Sequence, residues 1–192
     1  MATIVLVALR AFLRARTRSR YAWHNDCAPA GMKKSILSTF VRAIGLGIVS
    51  GMRSTMGPAF ASQYANRYPS RQLKGSPLGF MQRDTVMRGL QTMAAGEMVV
   101  DKVPGVKDRI IPGALAARAA AGGLAGATVY QSHGDKAWRG ALVGAVAAVA
   151  ASYACFYLRK YAGKKYKVKD GFAGGVEDLL AVGIGAGSTA GK

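Results

Sequence analysis

The chain has 192 residues, of which 51% are hydrophobic and only 19% are charged, and it contains 25 glycines. This composition disfavours an ordinary soluble domain, because glycine fills a water-driven core poorly but lets helix backbones approach closely in lipid. The 27 basic and 9 acidic residues give a net charge of +18, which suits either nucleic acid or an anionic membrane surface.

The distribution of the basic residues decides between these two partners. They cluster between apolar segments, at 67–74, 102–109 and 159–169, instead of lining one face together with aromatic neighbours. This pattern is typical of loops between membrane helices and not of nucleic-acid binding. We therefore expect a lipid bilayer and anionic lipid headgroups as partners, with homo-oligomer formation left open, and no nucleic acid.

Residues 1–31 form a leader that differs from the rest of the chain. They hold five arginines and one acid, and their apolar beginning is too short to span a bilayer. Such a leader resembles an organelle transit peptide. We favour a misassigned upstream start or a disordered basic extension, since the chain restarts at Met32 with "MKKSILSTFVRAIGLGIVSG". The prediction is a single transmembrane helical domain over 32–192.

Five apolar segments follow, which predict an all-α, Gly/Ala-rich, polytopic membrane helix bundle. Only the fourth, "GALVGAVAAVAASYACFYL", is strong by itself, because its 19 uncharged residues nearly reach the ~20 that cross a bilayer. The first has a break near Gly57 and Pro58 and is therefore predicted to be a broken or re-entrant segment. The predicted segments are 36–64, 86–103, 110–130, 140–158 and 172–190.

Small residues recur at helical spacing in three of these segments. A small-xxx-small pair flattens one stripe of a helix and admits the backbone of a partner helix. We therefore expect close helix packing at three pairs: Gly47 and Gly51, Gly122 and Gly126, and Gly140 and Gly144.

The basic residues also bear on orientation. If the first segment crosses once, Lys33 and Lys34, the 102–109 cluster and the 159–169 cluster share the cytoplasmic side of an inner membrane. This orientation places the loop 67–83, which has four basic residues, on the opposite side of the membrane, where basic residues are disfavoured. A re-entrant or broken first segment is the alternative.

Four of the nine acids lie in or beside apolar segments: Glu97, Asp101, Glu177 and Asp178. A charge at the centre of a spanning helix costs about 2.5–3.5 kcal/mol, so such groups usually face the bundle interior or an opposite charge. Glu97 and Asp101 are four residues apart and share a helix face. The candidate basic partners are Arg53, Lys102, Arg109 and Arg118.

Two functions are compatible with this intramembrane charge network. The eight charged residues bind or pass a small ion or solute, or they form internal ion pairs that fix helix register, with Lys102 and Arg109 ending helices near headgroups. Asp178 alternatively caps a helix start. We expect no metal, no cofactor and no catalytic residue, and hence no enzyme, since His24 and His133 have no ligand at metal spacing.

The motifs "GMRSTMGP", "AAGEMVVDKVPGVKDRIIPGALAAR", "YLRKY" and "VEDLLAVG" occur in this order over 36–188. In that order they resemble the bacterial membrane family called domain of unknown function 4126. The resemblance implies a small multi-helix inner-membrane protein and supplies no activity. The leader lies outside it.

Overall fold

The computed structural model describes residues 36–100, 111–166 and 170–190, and these form helices and turns without a strand. This confirms the predicted all-α class. In chain order the helices are α1 (Ile36–Met52), α2 (Met56–Arg67), α3 (Arg71–Lys74), a short 3₁₀ helix (Pro77–Gln82), α4 (Asp84–Val100), α5 (Pro112–Ser132), α6 (Ala137–Tyr166) and α7 (Asp170–Thr189). The predicted leader 1–31 lies outside the described residues and stays a prediction.

The first predicted segment is a pair of helices, as its break indicated. The chain reverses between α1 and α2, and Pro58 lies in the first turn of α2, where its missing N–H removes no helical hydrogen bond. A Cβ on Gly57 would lie 2.7 Å from the carbonyl oxygen of Leu46, so glycine allows α2 to fold back against α1. The break itself lies at 53–55, slightly before the predicted position.

Side-chain contacts show which ends of the helices lie together. Arg53 after α1 pairs with Asp178 in the first half of α7, whereas Arg42 near the start of α1 donates to the carbonyl of Ser188 near the end of α7. The helices α1 and α7 are therefore antiparallel. We call the two ends of the bundle the Arg53 end and the Arg42 end.

The first predicted segment does not run once from end to end. The start of α1 lies at the Arg42 end, α2 returns the chain toward that end, and Glu97 near the end of α4 lies at the Arg53 end. The condition for one shared basic side, a single crossing by the first segment, is therefore not met. Lys33, Lys34 and the 102–109 cluster lie outside the described residues, and their placement stays a prediction.

Glycines bring α1, α5 and α6 into backbone contact, as the small-residue spacing predicted. A Cβ would lie 2.6 Å from the Gly144 carbonyl oxygen if placed on Gly47 and 2.5 Å from it if placed on Gly122. A Cβ on Gly126 would lie 2.1 Å from the carbonyl oxygen of Gly140. No side chain fits at these contacts, so the packing of the three helices depends on glycine.

The apolar residues divide between a core and an exposed surface. The core lies where α1, α2, α4, α5 and α7 meet, and it contains Leu46, Val49, Met56, Phe60 and Val129. Large apolar side chains also face outward, among them Leu142 and Val146 on α6 and Leu180 on α7. One described segment, Ala137–Tyr161, is long and apolar enough to cross a membrane, and only 22% of its most apolar window is buried.

Candidate functional site

A deeply buried charged contact joins the turn after α1 to α7. The Nε of Arg53 donates to Oδ1 of Asp178 at 2.8 Å, and its Nη2 lies 2.5 Å from the same oxygen. Only 2% and 3% of the two side chains is exposed. A buried guanidinium and a buried carboxylate each need a counter-charge, which this pair supplies.

Glu97 reaches from α4 to the turn between α1 and α2. Its Oε1 accepts from the backbone N–H of Ser54 at 3.0 Å and from the Ser54 hydroxyl at 2.8 Å. Its Oε2 accepts from the N–H of Thr55 at 3.0 Å and from the Thr55 hydroxyl at 2.5 Å. Because these N–H groups precede the first turn of α2, the carboxylate caps that helix from a neighbouring one, where negative charge is favoured.

A second ion pair lies beside the first. Glu177, next to Asp178 on α7, accepts from Nη2 of Arg159 on α6. The Glu177 side chain is 8% exposed and that of Arg159 is 28% exposed. Together with the two preceding contacts, this places charged side chains from α4, α6 and α7 at the Arg53 end of the bundle.

The described contacts place Arg53, Glu97, Glu177 and Asp178 in this network. Arg118 lies on α5 with 9% of its surface exposed. The predicted residues Asp101, Lys102 and Arg109 lie outside the described residues. Within the described part of the chain, no group of three His, Cys, Asp or Glu residues could hold a metal ion.

The alternative that Asp178 caps a helix start is wrong, because α7 begins eight residues earlier at Asp170. Glu97 accepts hydrogen bonds from the hydroxyls and backbone of Ser54 and Thr55. The break in the first segment exposes these backbone N–H groups, which favour a carboxylate. The predicted pairing of Glu97 with Lys102 or Arg109 falls outside the described residues and stays a prediction.

Three participating residues were missed by the sequence reasoning: Ser54, Thr55 and Arg159. In the sequence, Arg159 belongs to the basic cluster at 159–169, and no acid was considered as its partner. The spacing could have indicated Glu177, because Arg159 and Glu177 lie equally far from the connection at 167–169. In an antiparallel helix hairpin such residues reach the same level, so the spacing predicts their contact.

The Arg42 end holds a different, aromatic cluster. Arg42 donates to the carbonyl oxygens of Ser188 at 3.1 Å and Ala190 at 3.3 Å, and its guanidinium lies 5.2 Å from the ring centre of Tyr64. The Tyr64 hydroxyl lies 3.4 Å from Nε2 of His133. A cation at the carbonyl end of a helix is favourable, so this cluster fixes the end of α7 to α1 and α2.

The family described as "Domain of unknown function (DUF4126)" matches residues 40–187 of this chain. The chain belongs to the DUF4126 family. The match confirms the resemblance read from the ordered motifs, and it extends from α1 to α7 of this DUF4126 protein, including the buried charge network. Residues 1–31 lie outside the match.

No curated protein and no solved structure matches this DUF4126 chain.

Proposed function

We propose that this DUF4126 protein is a multi-pass inner-membrane protein whose buried ion pairs hold its helices in register. The structural role is the primary function proposed, and anionic lipid is the proposed partner. The contact that carries the proposal is the pair of Arg53 and Asp178, which is almost fully buried and joins the first described helix to the last.

The exposed apolar side chains support a lipid environment. On α6, Leu142, Val146 and Leu158 are 57–67% exposed, whereas a soluble monomer rarely exposes a large contiguous apolar patch. The glycine contacts among α1, α5 and α6 support the same conclusion, since close backbone approach provides packing energy where lipid removes the hydrophobic drive between helices.

The lengths of the helices support several crossings. At 1.5 Å per residue, the 17 residues of α1 and of α4 extend over about 26 Å, and the 20 of α7 over about 30 Å. The 12 residues of α2 extend over only about 18 Å, less than the ~30 Å of hydrocarbon. Because α1 and α4 both run from the Arg42 end to the Arg53 end, α2 returns the chain between them. We therefore propose six passes, of which the α2 pass is short and buried inside the bundle.

The contacts of the acids favour a structural role over transport. Glu97 already accepts four hydrogen bonds, two on each oxygen, which leaves it little capacity to coordinate a passing cation. Asp178 and Glu177 each face an arginine. In this arrangement, the charges exclude alternative helix registers, because a shift would bury them unpaired.

Ion or solute transport is the second candidate, and one observation favours it. Acids and arginines from different helices meet around the turn at 53–55, and intramembrane charges commonly mark transport pathways. Proteoliposome flux assays with wild-type protein and Glu97→Gln test it. We expect no flux that depends on Glu97, and a dependent flux would favour transport over the structural role.

A charge swap tests the structural role. We expect Arg53→Asp and Asp178→Arg each to reduce the yield of folded protein in membranes, because each places two like charges together. The combined swap should restore a substantial part of that yield. A combined swap that is no better than either single change would count against register fixing by this pair.

Extraction of membranes with alkaline carbonate tests the membrane assignment. An integral protein stays in the pellet, whereas release of the chain into the supernatant would contradict the proposed location and favour a peripheral or soluble protein.

A further inference from the structure

An apolar groove runs along the outside of the bundle between α1 and α6. Its volume is about 700 Å³, and every lining residue has an apolar or sulfur-containing side chain. The walls include Ile44, Ile48 and Met52 from α1 and Val146, Ala150 and Ala154 from α6.

The groove is long and narrow. On α6 it extends from Leu142 to Leu158, which is about 24 Å at 1.5 Å per residue. A volume of about 700 Å³ spread over that length gives a mean cross-section of roughly 30 Å², which has room for an extended hydrocarbon chain. The length and the purely apolar lining both suit such a chain.

One end of the groove is basic and aromatic. Arg139 precedes the lining residues Leu142 and Val143 by three and four positions, so it continues the same face of α6 by one turn. Its side chain is exposed, and its guanidinium lies 5.5 Å from the ring centre of Trp138, which is 57% exposed. Lys136, in the turn just before α6, is exposed as well.

This combination of an apolar groove and a basic, aromatic end is complementary to an anionic lipid. Asp135 is the neighbouring acid in the turn, and the two cations exceed it by one positive charge. Exposed tryptophan beside arginine is typical of the headgroup level of a bilayer. Ala150 lies eleven residues beyond Arg139, or about 16 Å along the helix, which is close to the ~15 Å of one hydrocarbon leaflet.

We propose that the groove binds one anionic phospholipid, with an acyl chain between α1 and α6 and the headgroup phosphate at Arg139 and Lys136. This inference rests on the proposed membrane location and extends it to a defined site for a defined lipid class. The acyl chain would remove Val146 and Ala150 from general lipid contact and occupy the space beside the Gly47 and Gly144 contact, which stabilises the packing of α1 against α6.

Native mass spectrometry of the full chain in detergent tests the site, with phosphatidylglycerol and phosphatidylcholine of identical acyl chains as probes. We expect one phosphatidylglycerol to bind more tightly than phosphatidylcholine. Arg139→Gln should weaken phosphatidylglycerol binding about fivefold, the effect of one basic residue near an anionic headgroup. The matched control is Arg83→Gln, which removes an exposed cation just before α4, a helix that packs against α2, and it should leave binding unchanged.

Variants that fill the groove provide a second test of lipid binding. Ala150→Phe should weaken binding of both lipids tenfold or more, whereas Ala186→Phe, the same change at an exposed alanine of α7 outside the groove, should not. Val146→Phe provides a second filling variant if Ala150→Phe does not fold, as judged by circular dichroism and gel filtration.

The outcomes separate this site from the proposed location. Equal binding of the two lipids, or equal effects of the test and control variants, would overturn the site while carbonate extraction still supports a membrane protein. A chain dimer that Ala150→Phe abolishes, without a selective bound lipid, would assign the groove to a second copy and overturn the lipid proposal. Release of the chain by carbonate would overturn the location and the site together.

Discussion

Breaking the buried pair of Arg53 and Asp178 is predicted to destabilise the bundle strongly. At most 3% of either side chain is exposed, and the shorter of their two contacts is 2.5 Å. Removal of one partner from such a pair costs about 3–5 kcal/mol, because the other charge remains buried without its counter-ion. We expect Arg53→Met and Asp178→Leu each to lower the free energy of unfolding by about that amount, a large share of the ~5–15 kcal/mol typical of a folded protein.

Removing both charges should cost less than removing one. Apolar residues of similar volume often replace a buried ion pair with little loss, so the double variant Arg53→Met with Asp178→Leu should be more stable than either single variant. Unfolding of the purified protein in mixed micelles, followed by circular dichroism against the mole fraction of SDS, measures the differences. Single variants within about 1 kcal/mol of wild type, well below the cost of an unpaired buried charge, would refute the reasoning.

An exposed ion pair provides the matched control. Arg88 and Asp84 lie 2.8 Å apart on α4, and their side chains are 57% and 58% exposed. Water screens such a pair, and i,i+4 pairs on helices contribute only about 0.3–0.5 kcal/mol. Asp84→Asn should therefore change stability by no more than that, which separates the effect of burial from the loss of a charge.

Further predictions concern the glycine contacts and the cap on α2. Gly144→Ala should lower the free energy of unfolding by about 1–3 kcal/mol, because its Cβ would lie 2.1 Å from the Gly122 carbonyl oxygen. Gly187→Ala, where a Cβ would meet nothing within 4 Å, should instead stabilise α7 by about 0.5–1 kcal/mol. Equal effects of the two variants on SDS unfolding would contradict the packing argument. Glu97→Ala should cost at least the ~0.5–2 kcal/mol of a lost helix cap, and Glu97→Gln should cost less because one acceptor oxygen remains. A neutral Glu97→Ala variant would show that the cap does not stabilise α2.

Local patterns predicted the helices and their close contacts well. The glycine spacing of "GALVGAVAAVAASYACFYL" and "IIPGALAARAAAGGLAGATVY" predicted close helix packing, because a small-residue stripe is encoded within each helix, but it did not name the partner helix. The break near Pro58 likewise indicated the reversal of the first segment. Both signals are local, so one sequence carries them completely.

The pairing within the charge network was only partly predictable. Arg53 and Asp178 are 125 positions apart, and their contact depends on the direction of every helix between them. The assumption of a single crossing reversed those directions, since nothing local to α2 shows that 12 residues return to the Arg42 end. The contacts of Glu97 with Ser54 and Thr55 were also missed, because backbone N–H groups become available only where the structure ends one helix and begins another.

The membrane assignment depends most directly on whether the outward apolar face of α6 contacts lipid. Cysteine reactivity in nanodiscs, where both membrane faces are open to reagent, measures this after Cys27 and Cys155 are replaced by alanine. With N-ethylmaleimide, Val146→Cys should react far more slowly than Arg71→Cys, and at a comparable rate once SDS unfolds the protein. Equal rates in the nanodisc would place Val146 in water and contradict the membrane assignment.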